Sequence, residues 1–379
     1  MKKKICFIVS SPLTAKAFLL KHFEMLSKDY EISLVANFKN EDLAEYEAVS
    51  LTNIKSINIH RSINIIQDIK ALYSLRNYLK KMNFDAVHTV TPKAALLGII
   101  AAKLAGVRNR IHIFTGQVWH TKTGLFKMIL MTIDKLIVKS ATVILVDGQS
   151  QRQYLINNKI VNENNSYVLG KGSISGVDLS RFIPDDKIKI KMRTHLSLCE
   201  NEVVFMFLGR FNVDKGILDL SYAFKKLREE NKNIKLLLVG FDEENLESQI
   251  KDIISNNEAV VFTGPTPKPQ DYLQAADIFC LPSYREGFGT SVIEASLMKL
   301  PIICSDTYGL TETIIENKTG LRHRVADIDS IYLQMKILSE NEGMRRTYGE
   351  NGANYVKENF SAEMISQEWA AFYKNKVFI

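Results

Sequence analysis

The sequence predicts an α/β chain built from two doubly wound, Rossmann-like domains. Two observations carry this. Nearly continuous apolar runs rich in β-branched residues alternate with segments of helical period, the pattern of parallel strands covered on both faces. The alternation then occurs a second time, in a chain of 379 residues that is too long for one ordinary core.

In the first half the strands are ICFIVS (5–10), EISLVA (31–36), DAVHTV (85–90), RIHIFT (110–115) and TVILVD (142–147). Amphipathic stretches such as TAKAFLLKHFEMLSK (14–28) and TPKAALLGIIAAKLAG (91–106) read as the helices between them. The polar segment SRFIPDDKIKIKMRTHLSLCENE (180–202), which contains Pro184, marks the change of domain. The first domain is therefore placed at 1–188 and the second at 189–360. The second half repeats the pattern with EVVFMFLG (202–209), IKLLLVG (234–240), AVVFTG (259–264), DIFCLP (277–282) and PIICSD (301–306). Residues 361–379, ending in EWAAFYKNKVFI, read as a final helix whose aromatics pack inward.

Bulk properties narrow the class. Hydrophobic residues make up 46% and charged residues 24%, a globular balance. Cys6, Cys199, Cys280 and Cys304 form no CxxC pair and read as reduced, mostly buried residues of a cytosolic chain. The start, MKKKICFIVSS, reads as a first strand rather than a signal peptide. The longest apolar run, AALLGIIAA, stops at Lys103, well short of the roughly 18 residues of a spanning helix.

The net charge of +7 is unevenly spread. Residues 1–188 hold 26 Lys and Arg against 15 Asp and Glu, a balance of +11, while residues 189–379 hold 23 against 27, a balance of −4. Residues 51–150 alone hold 14 basic and 4 acidic side chains. Such a surface suits an anionic partner, lipid headgroups or a pyrophosphate, with a plain lysine-rich solvated face as the alternative. Nucleic acid is disfavoured, because no basic stretch carries the interleaved aromatics of a stacking platform.

Open parallel sheets bind ligands beyond the carboxyl ends of their strands, so residues just after strands are the ones to weigh. FLGRFNVDKG (207–216) follows an apolar strand and sets Arg210 and Lys215 five residues apart. A planar fork and a point charge both suit phosphate oxygens; pairing with surface acids such as Asp214 is the alternative. SYREGFGTSVIEAS (283–296) follows another strand. It places Glu286 and Glu294 around Gly287, Phe288 and Gly289, with a helix opening at Thr290 or Ser291. Free N–H groups at that helix start make an anion site, and each glutamate can accept from vicinal hydroxyls. The two acids are spaced to grip the two sugars of a nucleotide-diphosphate-sugar; two solvated surface charges are the alternative reading.

Other chemistries lack their motifs. No GxGxxG follows the first strand, and GxxxxGK[ST], GxSxG and HExxH are absent. The seven histidines show no metal-ligand spacing, and no Asp-x-Asp is placed to hold a metal under a diphosphate, so no metal is expected. His88, after a strand, and His120, in TGQVWHTKTG, read first as satisfied core or loop histidines and second as residues lining a cleft.

Taken together, these stretches resemble the family-4 retaining glycosyltransferases, which have the GT-B fold. REGFGTSVIEAS resembles the family's E-x7-E motif, FLGRFNVDKG its G-R-x(n)-K-G segment, and KGSISGVDLSRF its G-V-D-x-x-x-F signature. TGPTPKPQDYLQAADIFCLPSYREGFG and DTYGLTETIIENKTGL follow the family's later elements in order. HTVTPKAALLGIIAAKLAGVRNRIHIFTGQVW resembles the first domain of members that build bacterial surface polysaccharides, O-antigen or capsule, or lipid-linked oligosaccharides. The resemblance covers most of the chain. It implies two domains facing a central cleft, with the last helix crossing back to the first domain.

It also implies roles. Arg210 and Lys215 would neutralise the leaving diphosphate, Glu294 would hold the nucleotide ribose, and Glu286 would bind the donor sugar's hydroxyls on the catalytic face. Gly287, Phe288, Gly289, Thr290 and Ser291 would meet phosphate and sugar. The implied reaction is metal-free, keeps the anomeric configuration and uses the nucleotide-sugar as a substrate rather than a cofactor. A UDP-sugar carrying an N-acetylhexosamine or deoxysugar, and an undecaprenyl-diphosphate-linked acceptor at the cytoplasmic membrane face, follow by analogy. Three stretches depart from the pattern. SSPLTAK stands where many members have a Gly-Gly loop, Thr115 or Gly116 stands where many have a histidine, and Met298-Lys299-Leu300 replaces a small-residue turn.

The basic first domain fits peripheral binding to an anionic membrane. TGLFKMILMTIDKLIVKSA sets Phe126, Ile129, Leu130, Ile133 and Ile137 on one helical face. That face reads first as the cover of its own sheet, with an interfacial helix as the alternative. Two other functions stay open at this point. A nucleotide-sugar epimerase of the same fold acts on similar donors but does not need the paired-acid spacing. A non-catalytic, basic membrane-binding module has no need of a diphosphate cradle.

Overall fold

The computed structural model describes residues 2–38, 46, 50–60, 64–255 and 257–378. The chain divides into two compact units, 1–176 with 362–379, and 177–361.

The first unit is built on a parallel sheet of strands β1 (Lys3–Ile8), β2 (Tyr30–Ala36), β3 (Asn53–Ser56), β4 (Ala86–Val90), β5 (Asn109–Phe114), β6 (Val143–Val146) and β7 (Ser166–Tyr167). Their order is β3-β2-β1-β4-β5-β6-β7. The step from β1 to β2 runs one way along the sheet, and the steps from β3 onward run the other. Right-handed crossovers therefore put the connecting helices on opposite faces. Helices Pro12–Phe18 and Leu20–Leu26 cover one face. They arise from the single predicted stretch 14–28, which breaks at Leu19 (φ −118°, ψ −15°). The final helix, Ala362–Phe372, packs beside Leu20–Leu26. Helices Ile65–Met82, Pro92–Leu104 and Gly124–Ser140 lie side by side on the other face, with Pro92–Leu104 in the middle.

The second unit has strands β8 (Val203–Leu208), β9 (Ile234–Val239), β10 (Val260–Phe262), β11 (Ile278–Leu281), β12 (Ile302–Ser305) and β13 (Gly320–His323). All are parallel, in the order β10-β9-β8-β11-β12-β13. The chain changes direction along the sheet between β8 and β11, so the loops after these two strands flank the switch point where such sheets bind ligands.

All ten strands read from the sequence are present; β3, β7 and β13 were missed. Each missed strand is a sheet edge, only 2 to 4 residues long, and none is a continuous apolar run. An edge strand is covered on fewer sides and needs no such run.

The unit boundary falls at 176/177 rather than at 188. The Val177 N–H donates to the Phe360 carbonyl (2.8 Å), and Phe182 is buried in the second unit's core. The charged segment that reads as a linker is instead docked by Arg193, which donates to the Ala275 carbonyl (3.1 Å), the Cys199 and Glu202 carbonyls (2.6 Å each) and Asp277 (3.1 Å). Residues 362–378 belong to the first unit, where Trp369 and Tyr373 are wholly buried. Cys6, Cys280 and Cys304 are buried and Cys199 is exposed.

Candidate active site

The site is assembled in the second unit, from the loops that leave β8, β9 and β11. After β8 the chain turns through Gly209 and Arg210 into a short turn, Val213–Lys215, capped by the Asn212 side chain. Gly216 then starts the helix Ile217–Glu230 at φ +66°, a conformation that disfavours a side chain. A Cβ there would lie 2.1 Å from the Pro282 carbonyl oxygen. This close approach seats Lys215 directly against the loop after β11.

That loop supplies the partners. Lys215 Nζ donates to Glu286 Oε1, and the Ser283 hydroxyl donates to the same oxygen (2.7 Å). The loop is held from below: the Ser305 hydroxyl donates to the Ser283 carbonyl, and the Thr307 hydroxyl to the Tyr284 carbonyl (3.0 Å). From the side, Arg285 pairs with Asp214 (2.7 Å), and the Tyr284 hydroxyl donates to Asp219 (2.7 Å). Asp214 thus engages Arg285 from the neighbouring loop.

Gly289, at φ +64°, caps the helix Thr290–Leu297, and a Cβ on it would lie 2.3 Å from Leu310. The helix accordingly opens at Thr290 behind a glycine, with its first N–H groups at the switch point. The Phe288 side chain turns into the core against Phe360, leaving only its backbone on the site side. One turn into the helix, Glu294 is half-buried, and among the described residues its carboxylate has no hydrogen-bond partner. Burial pushes its pKa up to about 7, against a downward pull from Arg181.

Arg210 is exposed, and its Nη1 donates to both oxygens of Glu243, at 2.5 and 2.7 Å. Asn212 Nδ2 donates to the second of these (2.7 Å). Both cationic side chains therefore rest on carboxylates, Arg210 on Glu243 and Lys215 on Glu286. Glu243, Asn212, Ser283 and Arg181 were not singled out from the sequence. Glu243 follows β9, the neighbour of β8, and its place just past a strand end was the signal available.

The residues named in the first half lie in the first unit. Thr115 and Gly116 follow β5 at the carboxyl edge of its sheet and are half-buried. His120 Nδ1 shares a hydrogen bond with the Tyr154 hydroxyl (2.7 Å), and Tyr154 stacks on Trp119 (5.2 Å between centroids). His88 does not line a cleft. It is wholly buried, packed against both Phe7 (5.2 Å) and Trp369 (4.8 Å), and hydrogen-bonded to the Tyr373 hydroxyl (2.7 Å). A strand flanked on both faces by helices turns such a histidine into the core.

Two family models match the chain. "Glycosyl transferases group 1" covers residues 189–355, and "Glycosyltransferase Family 4" covers residues 22–172. The chain is 30% identical over 319 residues to the capsular polysaccharide biosynthesis glycosyltransferase CapM of Staphylococcus aureus, covering 84% of this chain and 83% of that one. It is 28% identical over 371 residues to the Escherichia coli UDP-Gal:alpha-D-GlcNAc-diphosphoundecaprenol alpha-1,3-galactosyltransferase, covering 94% of each. Among solved structures, Anabaena HepE in complex with UDP and glucose superposes with a TM-score of 0.82 at 16% identity, over 98% of this chain and 100% of that one, a likeness of fold. With the paired acids, the two cations and both family models in place along one GT-B chain, this protein is a glycosyltransferase of family 4.

Proposed function

We propose that the chain transfers a sugar from a UDP-sugar to a lipid-diphosphate-linked glycan in the synthesis of a bacterial surface polysaccharide, with retention of the anomeric configuration. The carrying observation is the convergence of Lys215 and Glu286 at the head of the helix Thr290–Leu297, with the Glu294 carboxylate one turn in. The named activity of the E. coli relative and the UDP bound by HepE support the donor nucleotide and the lipid-linked acceptor.

In this reading Arg210 and Lys215 leave their carboxylates to meet the diphosphate, and the helix N–H groups at Thr290 and Ser291 add partial positive charge. Glu294 accepts from the ribose hydroxyls. Glu286, freed from Lys215, accepts from the donor sugar. The bond from the anomeric carbon to the diphosphate oxygen breaks as the acceptor hydroxyl adds on the same face, and its proton passes to the departing phosphate oxygen. The protein's work is positioning and stabilising the charge that grows on the leaving group, with no metal. The transferred sugar is a hexose, an N-acetylhexosamine or a deoxysugar.

Thermal stability with UDP, GDP, ADP and CDP, each with and without EDTA, tests this. UDP at one hundred times its Kd adds about 2.7 kcal/mol, and EDTA leaves that unchanged. Preference for another base overturns the donor nucleotide. Loss of the response in EDTA overturns the metal-free step.

A further inference from the structure

The loops that carry Lys215 also carry acids that oppose an anionic donor. Asp214 precedes Lys215 in the chain, and Asp219 lies in the first turn of the helix that follows. Glu243 and Glu244 come from the loop after β9, and Glu286 from the loop after β11. A bare carboxylate among them would repel a diphosphate. Each acid is engaged. The Tyr284 hydroxyl donates to Asp219 (2.7 Å), the Val213 N–H to Glu244 (3.0 Å), Arg210 to Glu243, Lys215 to Glu286 and Arg285 to Asp214.

The last two pairs form a unit. Asp214 and Lys215 face Arg285 and Glu286 residue for residue, with the signs inverted. Arg285 Nε donates to Asp214 Oδ2 (2.7 Å), beside the bond from Lys215 to Glu286. The backbones on either side are tied together. The Tyr284 N–H donates to the Asp214 carbonyl (2.8 Å), and Gly216 lies against the Pro282 carbonyl. With both loops fixed in this way, a change of partner at the site is a matter of side chains.

The cations differ in how firmly they are held. Arg210 is 51% exposed, whereas Arg285 and Asp214 are 24% and 23% exposed. A mostly covered ion pair keeps more of its attraction than one in open solvent. Arg210 and Lys215 are read as moving to the diphosphate, so Arg285 is the cation that stays behind, one residue before Glu286, with the carboxylate that lies one residue before Lys215.

We propose that Arg285 is a positioning residue for donor binding: it holds and neutralises Asp214, so that no unopposed negative charge stands beside Lys215 when the diphosphate arrives. The proposal deepens the donor reading and rests on it for the role of Lys215.

The test is calorimetry with UDP on the full chain, on Arg285→Gln, on Asp214→Asn and on the double variant, with a thermal melt of each to show that it is folded. Arg285→Gln is expected to bind UDP about tenfold more weakly. Asp214→Asn should bind at least as tightly as the parent chain, and the double variant should return to within about twofold of the parent. That recovery is what a merely structural contact would not give. A double variant as weak as Arg285→Gln would overturn the proposal, because Arg285 would then meet the phosphate itself. Should Arg285→Gln fail to fold, Asp214→Asn decides: weaker UDP binding than the parent overturns the proposal, and binding at least as tight supports it. Parent-like binding by Arg285→Gln, in a chain that loses UDP on Lys215→Ala, would sink the role of Arg285 alone. A parent chain indifferent to UDP would sink the donor reading and this proposal together.

Discussion

Lys215 and Glu286 share one contact: the ammonium and the Ser283 hydroxyl both donate to Oε1 of the same carboxylate. Neither side chain is well exposed, at 21% and 11% of its surface. A mostly covered ion pair at a helix start is a resting state that an incoming anion can open, because the phosphate replaces the carboxylate on the lysine and the carboxylate turns to hydroxyls.

Removing either partner should cost turnover in different ways. Lys215→Ala should lower kcat about 10²- to 10³-fold and weaken UDP binding, since a preorganised donor to the leaving group is lost. Glu286→Ala should lower kcat similarly but leave UDP affinity intact, the Lys215 ammonium still free to meet phosphate. Steady-state kinetics and calorimetry with UDP separate the two. UDP affinity falling equally in both variants would contradict the assigned roles.

Glu294 predicts a pH effect on stability. Its pKa is about 7 in the fold against an ordinary 4.5. The folded state keeps a proton that the unfolded chain has released, so stability falls as pH rises from 4.5 to about 7. Glu294→Gln should therefore gain up to about 3 kcal/mol at pH 8 and little at pH 4.5. Urea unfolding at the two pH values checks this, and the same variant should bind UDP more weakly because the ribose loses its anionic acceptor.

His22 predicts the opposite slope. It is wholly buried, stacked on Trp369 (4.4 Å), hydrogen-bonded to Ser366 (2.9 Å) and to the Ile174 carbonyl (2.6 Å). Burial lowers its pKa to about 4 from an ordinary 6.5, the carbonyl opposing. The unfolded chain takes up the proton first, so this stability is present above pH 6.5 and is lost as pH falls towards 4. His22→Gln should flatten that part of the acid transition, followed through Trp369 fluorescence.

Much of this was legible in one sequence. Interior strands such as β1, β8 and β9 are covered on both faces and must be apolar throughout, so they announce themselves. Edge strands such as β13 carry no such demand and were missed. The two cations and the two acids were legible because each follows a strand end, where a parallel sheet leaves polar residues uncovered. Their partners were not. Nothing local joins Arg210 to Glu243, 33 residues away, and His88 showed no local sign that Phe7 and Trp369 would enclose it.

By itself the sequence determined the two α/β units, the family, and which residues stand at the switch point, since apolar period and strand-end position are local properties. Only the tertiary structure decided which carboxylate each cation rests on and where the first unit ends. Those outcomes depend on close approaches between distant segments, such as Gly216 against Pro282, which no stretch of sequence encodes alone.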